Sequence, residues 1–194
     1  MLFDVGGGKQ VLVAGQKSGM LHAFDPDQNG KIVWQTRIGR GSTLGGILWG
    51  IAGHQGIAYV PLSDIDRQKP DAGGGMFAID VATGKVLWHT PPPAPACLPK
   101  PGCNSAQLAP PSAIEGAVFS GSMDGHLRAY DMSAGKIIWD FDAAQSFPPT
   151  NGIPATGGSF SSTGPTIVDG MLYVNSGYGG QGMPGNALLA FSVK

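Results

Sequence analysis

Cysteine is the most reactive residue type in this sequence. The two cysteines, Cys97 and Cys103, lie close together in Ala-Cys-Leu-Pro-Lys-Pro-Gly-Cys. The five residues between them match neither the spacing of a Cys-x-x-Cys metal or redox pair nor the Cys-x-x-Cys-His of a c-type haem site. A local disulfide that closes a proline-rich loop is one interpretation, and it implies an oxidising compartment. Two neighbouring free thiols are the other interpretation.

Carboxylates and histidines are the next candidate ligands. Asp64, Asp66 and Asp71 come together in Ser-Asp-Ile-Asp-Arg-Gln-Lys-Pro-Asp, and carboxylate oxygens are ligands that Ca²⁺ prefers. The stretch lacks the alternating aspartates, glycine and distal glutamate of an EF-hand, so it predicts a solvated loop. The histidines are scattered without the spacing of metal ligands, at His22, His54, His89 and His126.

Charge and composition argue against several classes of function. The 12 basic and 13 acidic residues balance, and without a basic stripe neither nucleic acid nor an anionic membrane surface is an expected partner. No apolar run is long enough for a membrane helix, and the first residues lack the basic and apolar regions of a signal peptide.

The glycine-rich stretches 6–10 and 177–185 precede no predicted helix, so they are interpreted as turns rather than phosphate-binding loops. No Gly-x-Ser-x-Gly motif supports hydrolase chemistry.

One phrase occurs three times, and it determines the predicted architecture. In each copy an alanine and an aspartate precede a Gly-Lys pair, and the copy ends on a tryptophan: Trp34, Trp88 or Trp139. A fourth copy begins around Ala190. A period near 50 residues is typical of propeller blades. Each glycine is interpreted as a turn residue, and each tryptophan as a side chain that packs across the neighbouring blade without a catalytic role.

Each copy predicts two short strands around a tight turn, because apolar β-prone residues flank the glycine. A further strand lies upstream, and glycine- and serine-rich stretches predict an inner strand. Four antiparallel strands per unit predict an all-β protein, a β-propeller of about four blades that forms half of an eight-bladed ring. The predicted blades of this single partial domain span approximately residues 1–38, 40–90, 106–141 and 155–194.

A half-ring of this kind would expose two blade faces and unpaired strand edges. We therefore expect a partner that completes the ring, either a second copy of the chain in a homodimer or an N-terminal half. A monomer of 19.9 kDa would argue against the homodimer.

The repeated phrase, Ala-x-Asp-x-x-[Thr/Ala]-Gly-Lys-x-x-Trp, resembles the tryptophan-docking motif of the quinoprotein (PQQ-dependent) alcohol dehydrogenases, which are eight-bladed periplasmic propellers that carry pyrroloquinoline quinone (PQQ). The phrases VLVAGQKSGMLHAFD, GGILWGIAG and GAVFSGSMDGHLRAYD resemble the C-terminal half of polyvinyl-alcohol dehydrogenases in particular. The similarity extends over nearly the whole chain. The repeated phrase alone is also found in noncatalytic propellers such as outer-membrane assembly lipoproteins.

The resemblance implies a set of cofactor-binding residues. In the family a basic residue in a K/R-x-G turn hydrogen-bonds the quinone oxygens, and Gly-Gln-Lys-Ser-Gly puts Lys17 at that position. An ammonium there would polarise the quinone carbonyls, although in isolation Lys17 would be interpreted as a solvated turn lysine. Trp49 matches the tryptophan of an Asn-Trp pair near the cofactor, or packs in the core at the axis, while Leu48 replaces the asparagine and removes its hydrogen bond. Asn151 and Ser159 are further pocket candidates.

By resemblance the chain is the C-terminal part of a periplasmic, PQQ-dependent alcohol dehydrogenase of the polyvinyl-alcohol type, with PQQ and an alcohol as partners of the complete enzyme. The family's catalytic aspartate, its calcium ligands and the tryptophan beneath the quinone lie upstream of the K/R-x-G turn. No catalytic residue and no metal ligand are therefore assigned here, calcium would be bound mainly by residues absent from this sequence, and we expect the chain alone to be inactive. The alternative is a noncatalytic propeller that acts as a scaffold for protein or polysaccharide.

Overall fold

The computed structural model describes residues 1–66, 68–178 and 180–192. Within these ranges the chain forms strands and loops without any helix, as the sequence predicts. The strands make four antiparallel sheets and one small hairpin.

Sheets 1 to 3 each contain four strands in sequential order, and sheet 4 contains three. Sheet 1 consists of β1 (Leu2–Asp4), β2 (Gln10–Gly15), β3 (Met20–Asp25) and β4 (Lys31–Arg37). Sheet 2 consists of β5 (Ala52–His54), β6 (Ile57–Pro61), β7 (Met76–Asp80) and β8 (Val86–Thr90). Sheet 3 consists of β9 (Ser112–Ile114), β10 (Ala117–Gly121), β11 (His126–Asp131) and β12 (Ile137–Asp142). After the hairpin β13 (Ser146–Phe147) and β14 (Ala155–Thr156), sheet 4 consists of β15 (Thr166–Val168), β16 (Met171–Ser176) and β17 (Ala187–Ser192).

The repeated phrase has the same strand register in the first three sheets. Ala23 pairs with Trp34, and a β-bulge follows the alanine. The equivalent alanines pair with Trp88 and Trp139, again with a bulge after the alanine. The small alanine leaves room beside the large indole on the same face of the sheet, and the bulge increases the local twist of the strand.

Tryptophan and glycine meet at the joints between consecutive sheets. The Nε1 of Trp34 donates to the carbonyl of Val81 in sheet 2 at 2.8 Å, and Trp88 repeats the contact with Met132 of sheet 3 at 2.9 Å. Gly84 lies against the Trp34 ring with a φ of +73°, and a Cβ built there would come within 2.5 Å of the indole. Only glycine combines this left-handed backbone with so close an approach.

The hydrophobic core lies between neighbouring sheets. Alternate residues of each strand face it, so that in β2 Val11 and Val13 are buried whereas Leu12 is exposed. One cluster packs sheet 1 against sheet 2, the second packs sheet 2 against sheet 3, and the third packs sheet 3 against sheet 4. Burial therefore connects each sheet to its neighbours along the chain.

Three links join the sheets: link 1 (residues 38–51), link 2 (91–111) and link 3 (143–165). Each link hydrogen-bonds through its backbone to the loops that follow the second strand of the two sheets it connects. In each case one link residue donates to the preceding loop and the residue before it accepts from the following loop. The bonds are Ile47 N to Gln16 O (3.0 Å) and Ser63 N to Gly46 O (2.9 Å); Gln107 N to Leu62 O (3.0 Å) and Met123 N to Ala106 O (2.9 Å); Phe160 N to Ser122 O (3.1 Å) and Gly177 N to Ser159 O (3.0 Å).

Sheet 3 contains a buried ion pair. Arg128, which is 3% exposed, donates to both carboxylate oxygens of Asp124, at 2.7 and 3.3 Å. Its Nε also donates to Asp140 at 3.1 Å. Burial of an unpaired charge is costly, so these contacts are needed to keep the guanidinium in the sheet.

The inner strands are shorter than the sequence predicts. The stretches expected to form them are mostly irregular, and only their last residues become β5, β9 and β15. Gly50, with a φ of +152°, and Pro110 interrupt the extended pairing in the first two stretches. The hairpin β13–β14 was not foreseen. Among the described residues no helix is long and apolar enough to cross a membrane.

Candidate functional site

The three links contribute equivalent residues to one cavity. Leu48, Leu108 and Ser161 each follow directly after the link residue that donates to the preceding loop. All three line a cavity of about 280 Å³, together with Trp49 and Ser162 from the next position. Because residues of the same register converge there from three consecutive links, the cavity lies where the sheets meet. We call it the axial cavity; its remaining lining residues are Lys17, Leu44 and Gln181.

Trp49 forms an exposed wall of the axial cavity. Its side chain is 62% exposed, so the residues of this chain do not bury it in a core. The indole Nε1 donates to the carbonyl of Ser161 at 2.9 Å, a contact between link 1 and link 3. Leu48 is half-buried beside it and packs on the small apolar cluster of Ala106, Leu108 and Met123. The indole is therefore held in place while much of its surface remains available.

Lys17 lies in the loop between β2 and β3, and its exposed side chain lines the axial cavity. Link 1 fixes the backbone of this loop. Ser42 N donates to the Lys17 carbonyl at 3.2 Å. Gly46 has a φ of +68° and approaches so closely that a Cβ there would lie 2.4 Å from the Lys17 carbonyl oxygen. The direction in which the lysine leaves the backbone is thus set by contacts with link 1.

Asp64 differs from the solvated loop residue that the sequence predicts. It is 6% exposed, and its carboxylate accepts hydrogen bonds from three backbone N–H groups of link 1. The donors are Arg40 at 2.5 Å, Gly41 at 2.9 Å and Gly46 at 2.8 Å. The prediction is wrong for Asp64 because these donors replace the water that a loop carboxylate would otherwise bind.

A second, more polar cavity adjoins the axial cavity. It has a volume of about 370 Å³, and Gln181 lines both. Asp66 and Asn104 provide polar groups in this second cavity, and Met123 and Ile65 provide apolar ones. The two cavities also share an apolar floor, because Leu48 and Ile65 pack on the same small cluster.

The structure brings together only part of the predicted cofactor-binding set. Lys17, Leu48 and Trp49 line one cavity, whereas Asn151 lines a separate one beside the hairpin β13–β14. Ser159 is buried; its hydroxyl donates to the Met123 carbonyl at 2.6 Å and accepts from the Met183 N–H at 2.8 Å. Neither Asn151 nor Ser159 lines the axial cavity, and their role in binding a cofactor stays a prediction.

Cys97 and Cys103 are joined by a disulfide, with 5.8 Å between their Cα atoms. Cys103 also lines the second cavity, so the disulfide loop forms part of its wall. Within the described ranges no group of three or more histidine, cysteine, aspartate or glutamate side chains is arranged to hold a metal ion.

Sequence reasoning missed Leu108, Ser161 and Asp64. The signal for the first two was available in the spacing of the repeats, because the residues that align with Leu48 in the other links are the ones that share its cavity. No motif marks Asp64. Its role depends on three backbone donors that fold back from residues 40–46.

Comparison with known proteins shows which sequences and structures this chain is similar to. Residues 17–179 match the PQQ_2 family, described as outer membrane protein assembly factor BamB. Polyvinylalcohol dehydrogenase of a Sphingopyxis species is 42% identical over 96% of this chain and 31% of that protein, and the enzyme of a Pseudomonas species is 41% identical over the same shares. The dehydrogenase subunit of the quinone alcohol dehydrogenase of Gluconacetobacter polyoxogenes is 29% identical over 53% of this chain and 13% of that subunit. The chain spans about a third, 31%, of the length of its polyvinylalcohol dehydrogenase relatives.

Solved structures show the same fold at lower identity. A europium-containing methanol dehydrogenase superposes with a TM-score of 0.60 and 18% identity, covering 89% of this chain and 34% of that one. The quinohemoprotein alcohol dehydrogenase from Comamonas testosteroni gives a TM-score of 0.58 and 19% identity, covering 88% of this chain and 28% of that one. These likenesses confirm the predicted all-β propeller fold.

Proposed function

This chain belongs to the PQQ_2 family of propellers, with quinoprotein alcohol dehydrogenases among its relatives, and from that premise we propose that it is part of a PQQ-dependent alcohol dehydrogenase. The observation that carries the proposal is the meeting of Lys17, Leu48 and Trp49 in the axial cavity. These residues come from two separate segments of the chain. If Lys17 and Trp49 had no common role, we would not expect their two segments to place them in the same cavity.

The residues present fit one part of a planar, anionic quinone. Lys17 supplies a cation that can donate to a quinone or carboxylate oxygen. Trp49 offers an exposed flat ring for stacking, and the hydroxyl of Ser162 is a potential donor at the rim. The cavity volume of about 280 Å³ is just below the range typical of small-molecule sites. These residues would hold one side of the cofactor.

When bound, PQQ supplies the hydride acceptor for oxidation of an alcohol. The chain's own contribution is binding and electrostatics. Lys17 would hydrogen-bond the quinone oxygens and favour the negative charge that develops on them. Trp49 would limit the tilt of the ring, because its indole is fixed to Ser161. Leu48 would exclude water on one side without offering a hydrogen bond.

Titration of the purified chain with PQQ tests the proposal. We expect saturable quenching of tryptophan fluorescence and a shift of the quinone absorbance, with binding weakened in Lys17→Ala. Lys9→Ala is the matched control, because Lys9 lies in the β1–β2 turn and does not line the axial cavity. Absence of binding by the chain, both with and without Ca²⁺, would overturn the assignment of this cavity to the cofactor.

We expect binding without turnover. In the family, the catalytic base and the calcium ligands come from residues for which this sequence has no match, so dye-linked alcohol oxidation by the chain alone should stay at background. Steady oxidation of an alcohol by the purified chain would contradict this part of the proposal. A periplasmic location is proposed with it, supported by the disulfide between Cys97 and Cys103.

A noncatalytic scaffold is the second candidate. It is favoured by Leu48, which offers no hydrogen bond where the family's dehydrogenases have a polar residue, and by the description of the matching family as an outer membrane protein assembly factor. A scaffold would capture a protein or polysaccharide partner while failing to bind PQQ. Light scattering would at the same time show whether two copies associate, as the homodimer prediction requires.

A further inference from the structure

We propose that Asp64 is a positioning residue that holds Lys17 in place for cofactor binding, an inference that rests on the proposed function. Asp64 itself does not line the axial cavity. Its effect would pass through link 1, which contacts Asp64 on one side and the Lys17 loop on the other.

The first step is the anchoring of link 1 by one carboxylate. Asp64 Oδ1 accepts from Gly41 N and Gly46 N at 2.9 and 2.8 Å, and Oδ2 accepts from Arg40 N at 2.5 Å. Three donors converge from residues 40–46, which form no strand or helix. A backbone donor buried away from water needs a partner, and the Asp64 carboxylate supplies it for the buried Gly46 N–H as well as for the partly buried N–H groups of Arg40 and Gly41.

The second step is the contact of link 1 with the Lys17 loop. Ser42 N donates to the Lys17 carbonyl at 3.2 Å, and Ile47 N donates to the Gln16 carbonyl at 3.0 Å. Gly46 takes part in both steps: its N–H binds Asp64, and its Cα packs against the Lys17 carbonyl. A shift of Gly46 that breaks its bond to Asp64 would therefore also change its contact with the Lys17 carbonyl.

The backbone of Asp64 has an unusual conformation that its neighbours hold in place. Asp64 has a φ of +42°, in the left-handed region that non-glycine residues seldom adopt. Its carbonyl packs against Gly73, where a Cβ would come within 2.3 Å of the oxygen. Such a conformation persists only where the surrounding structure determines it.

Asp64→Asn is the appropriate variant because it removes one acceptor and little volume. The amide keeps one acceptor oxygen, but its NH₂ group would face a backbone donor of link 1. Asp66→Asn is the matched control. The Asp66 carboxylate lies on the same loop and accepts from Gln68 N and Lys69 N, so it caps its own turn and does not bind link 1.

Two measurements on the full 194-residue chain test the proposal. The first, without cofactor, is amide hydrogen exchange at Gly41 and Gly46, which we expect to accelerate by about tenfold or more in Asp64→Asn and to stay unchanged in Asp66→Asn. The second is the PQQ dissociation constant, which we expect to rise about tenfold in Asp64→Asn. In a Lys17→Ala background the same substitution should have no further effect, because its influence passes through Lys17.

The outcomes separate the two proposals. If the wild-type chain fails to bind PQQ, the proposed function fails, and the exchange data still decide whether Asp64 anchors link 1. Unchanged exchange at Gly41 and Gly46 would overturn the anchoring. If the wild-type chain binds PQQ and Asp64→Asn weakens binding equally with and without Lys17, Asp64 acts by another route and the positioning role is wrong.

Discussion

The indole Nε1 of Trp49 donates a 2.9 Å hydrogen bond to the carbonyl of Ser161, a residue 112 positions away. The contact joins link 1 to link 3 across the axial cavity. It holds an exposed aromatic ring in one orientation, which is the arrangement that a stacking surface for a planar ligand requires. The first prediction follows from it.

We expect Trp49→Ala to weaken PQQ binding about tenfold or more, because the stacking surface is lost. Trp49→Phe keeps a ring but loses the donor to Ser161, so it should have a smaller effect on binding and cost the fold only about 0.5–1.5 kcal/mol. Fluorescence titration and urea unfolding measure the two quantities. Tyr178→Ala is the control, because Tyr178 is equally exposed but does not line the axial cavity; equal loss of binding in that variant would contradict a specific role for Trp49.

Leu48→Asn should strengthen PQQ binding. The side chain lines the axial cavity and is half-buried, and an amide there could donate to a quinone or carboxylate oxygen. A gain of about threefold to tenfold in affinity corresponds to one net hydrogen bond. Leu44→Asn places the same amide elsewhere on the cavity wall and serves as the control. Weaker binding in Leu48→Asn alone would show that its apolar contact with the cluster around Met123 matters more.

Gly84→Ala should destabilise the fold more than Gly30→Ala. The two glycines have nearly equal φ values, +73° and +74°, so the left-handed backbone costs each alanine about 1–2 kcal/mol. A Cβ at Gly84 would also come within 2.5 Å of the Trp34 ring, whereas one at Gly30 would meet nothing within 4 Å. The further cost at Gly84 is about 1–3 kcal/mol. Urea unfolding measures it, as a lower midpoint for Gly84→Ala than for Gly30→Ala. Equal midpoints would mean that the Trp34 ring can move aside for the added methyl group at no cost in the free energy of unfolding.

Arg128→Met should lower the free energy of unfolding by about 3–5 kcal/mol, because it leaves the 1% exposed carboxylate of Asp124 without its cationic partner. The double variant Arg128→Met/Asp124→Leu removes both charges and should recover much of the loss. Urea unfolding of both variants measures the difference. A double variant as unstable as the single one would show that packing of the arginine, rather than its charge, is what the sheet needs.

Burial raises the pKa of the Tyr130 phenol to about 12, partly offset by the nearby positive charge of Arg128 and the hydrogen bond from Gln107. In the unfolded chain the Tyr130 phenol has its ordinary pKa of 10.0. Its higher pKa in the folded protein contributes to the free energy of unfolding fully below pH 10, and this contribution is lost as the pH rises from 10 through about 12. The stability advantage of wild type over Tyr130→Phe should therefore shrink over that range.

Urea unfolding at pH 8, 10 and 11 measures this advantage, and phenolate absorbance follows the ionisation. Tyr178→Phe removes an exposed hydroxyl outside the network of Gln107 and Ser120, and its difference from wild type should not follow the Tyr130 pattern. A constant advantage of wild type over Tyr130→Phe across the series would show that the Tyr130 phenol has the same pKa in the folded and unfolded states, and that burial does not raise it.

The propeller fold was predictable because the repeat shows it directly. In each copy, few other side chains would fit in place of the alanine, the glycine or the tryptophan. The Ala23–Trp34 pair and Gly84 are examples. The links were predicted less well. Stretches rich in glycine and serine were expected to be strands, but their backbone groups bond singly to loops of neighbouring sheets instead of forming a ladder.

The candidate site was predictable only where a motif carries it. Lys17 and Trp49 were found through the resemblance of their segments, and the structure places them in one cavity. Asp64 was not found, because a carboxylate that binds distant backbone donors leaves no pattern in its own segment. Asn151 was a pocket candidate because its segment precedes the last predicted inner strand, and the structure places it in a separate cavity beside the hairpin β13–β14.

Main-chain hydrogen bonds join each link to the loops of the two sheets that it connects. Six N–H···O=C contacts use no side chain of Leu48, Leu108 or Ser161, nor of their successors. Leu48, Leu108 and Ser162 can therefore be exchanged without removing any of these bonds. Trp49 and Ser161 differ, because their side chains donate to the carbonyls of Ser161 and Tyr178. These three positions form a site for redesign: a library that varies residues 48, 108 and 162 would change the ligand that the cavity accepts while the main-chain bonds around it stay the same.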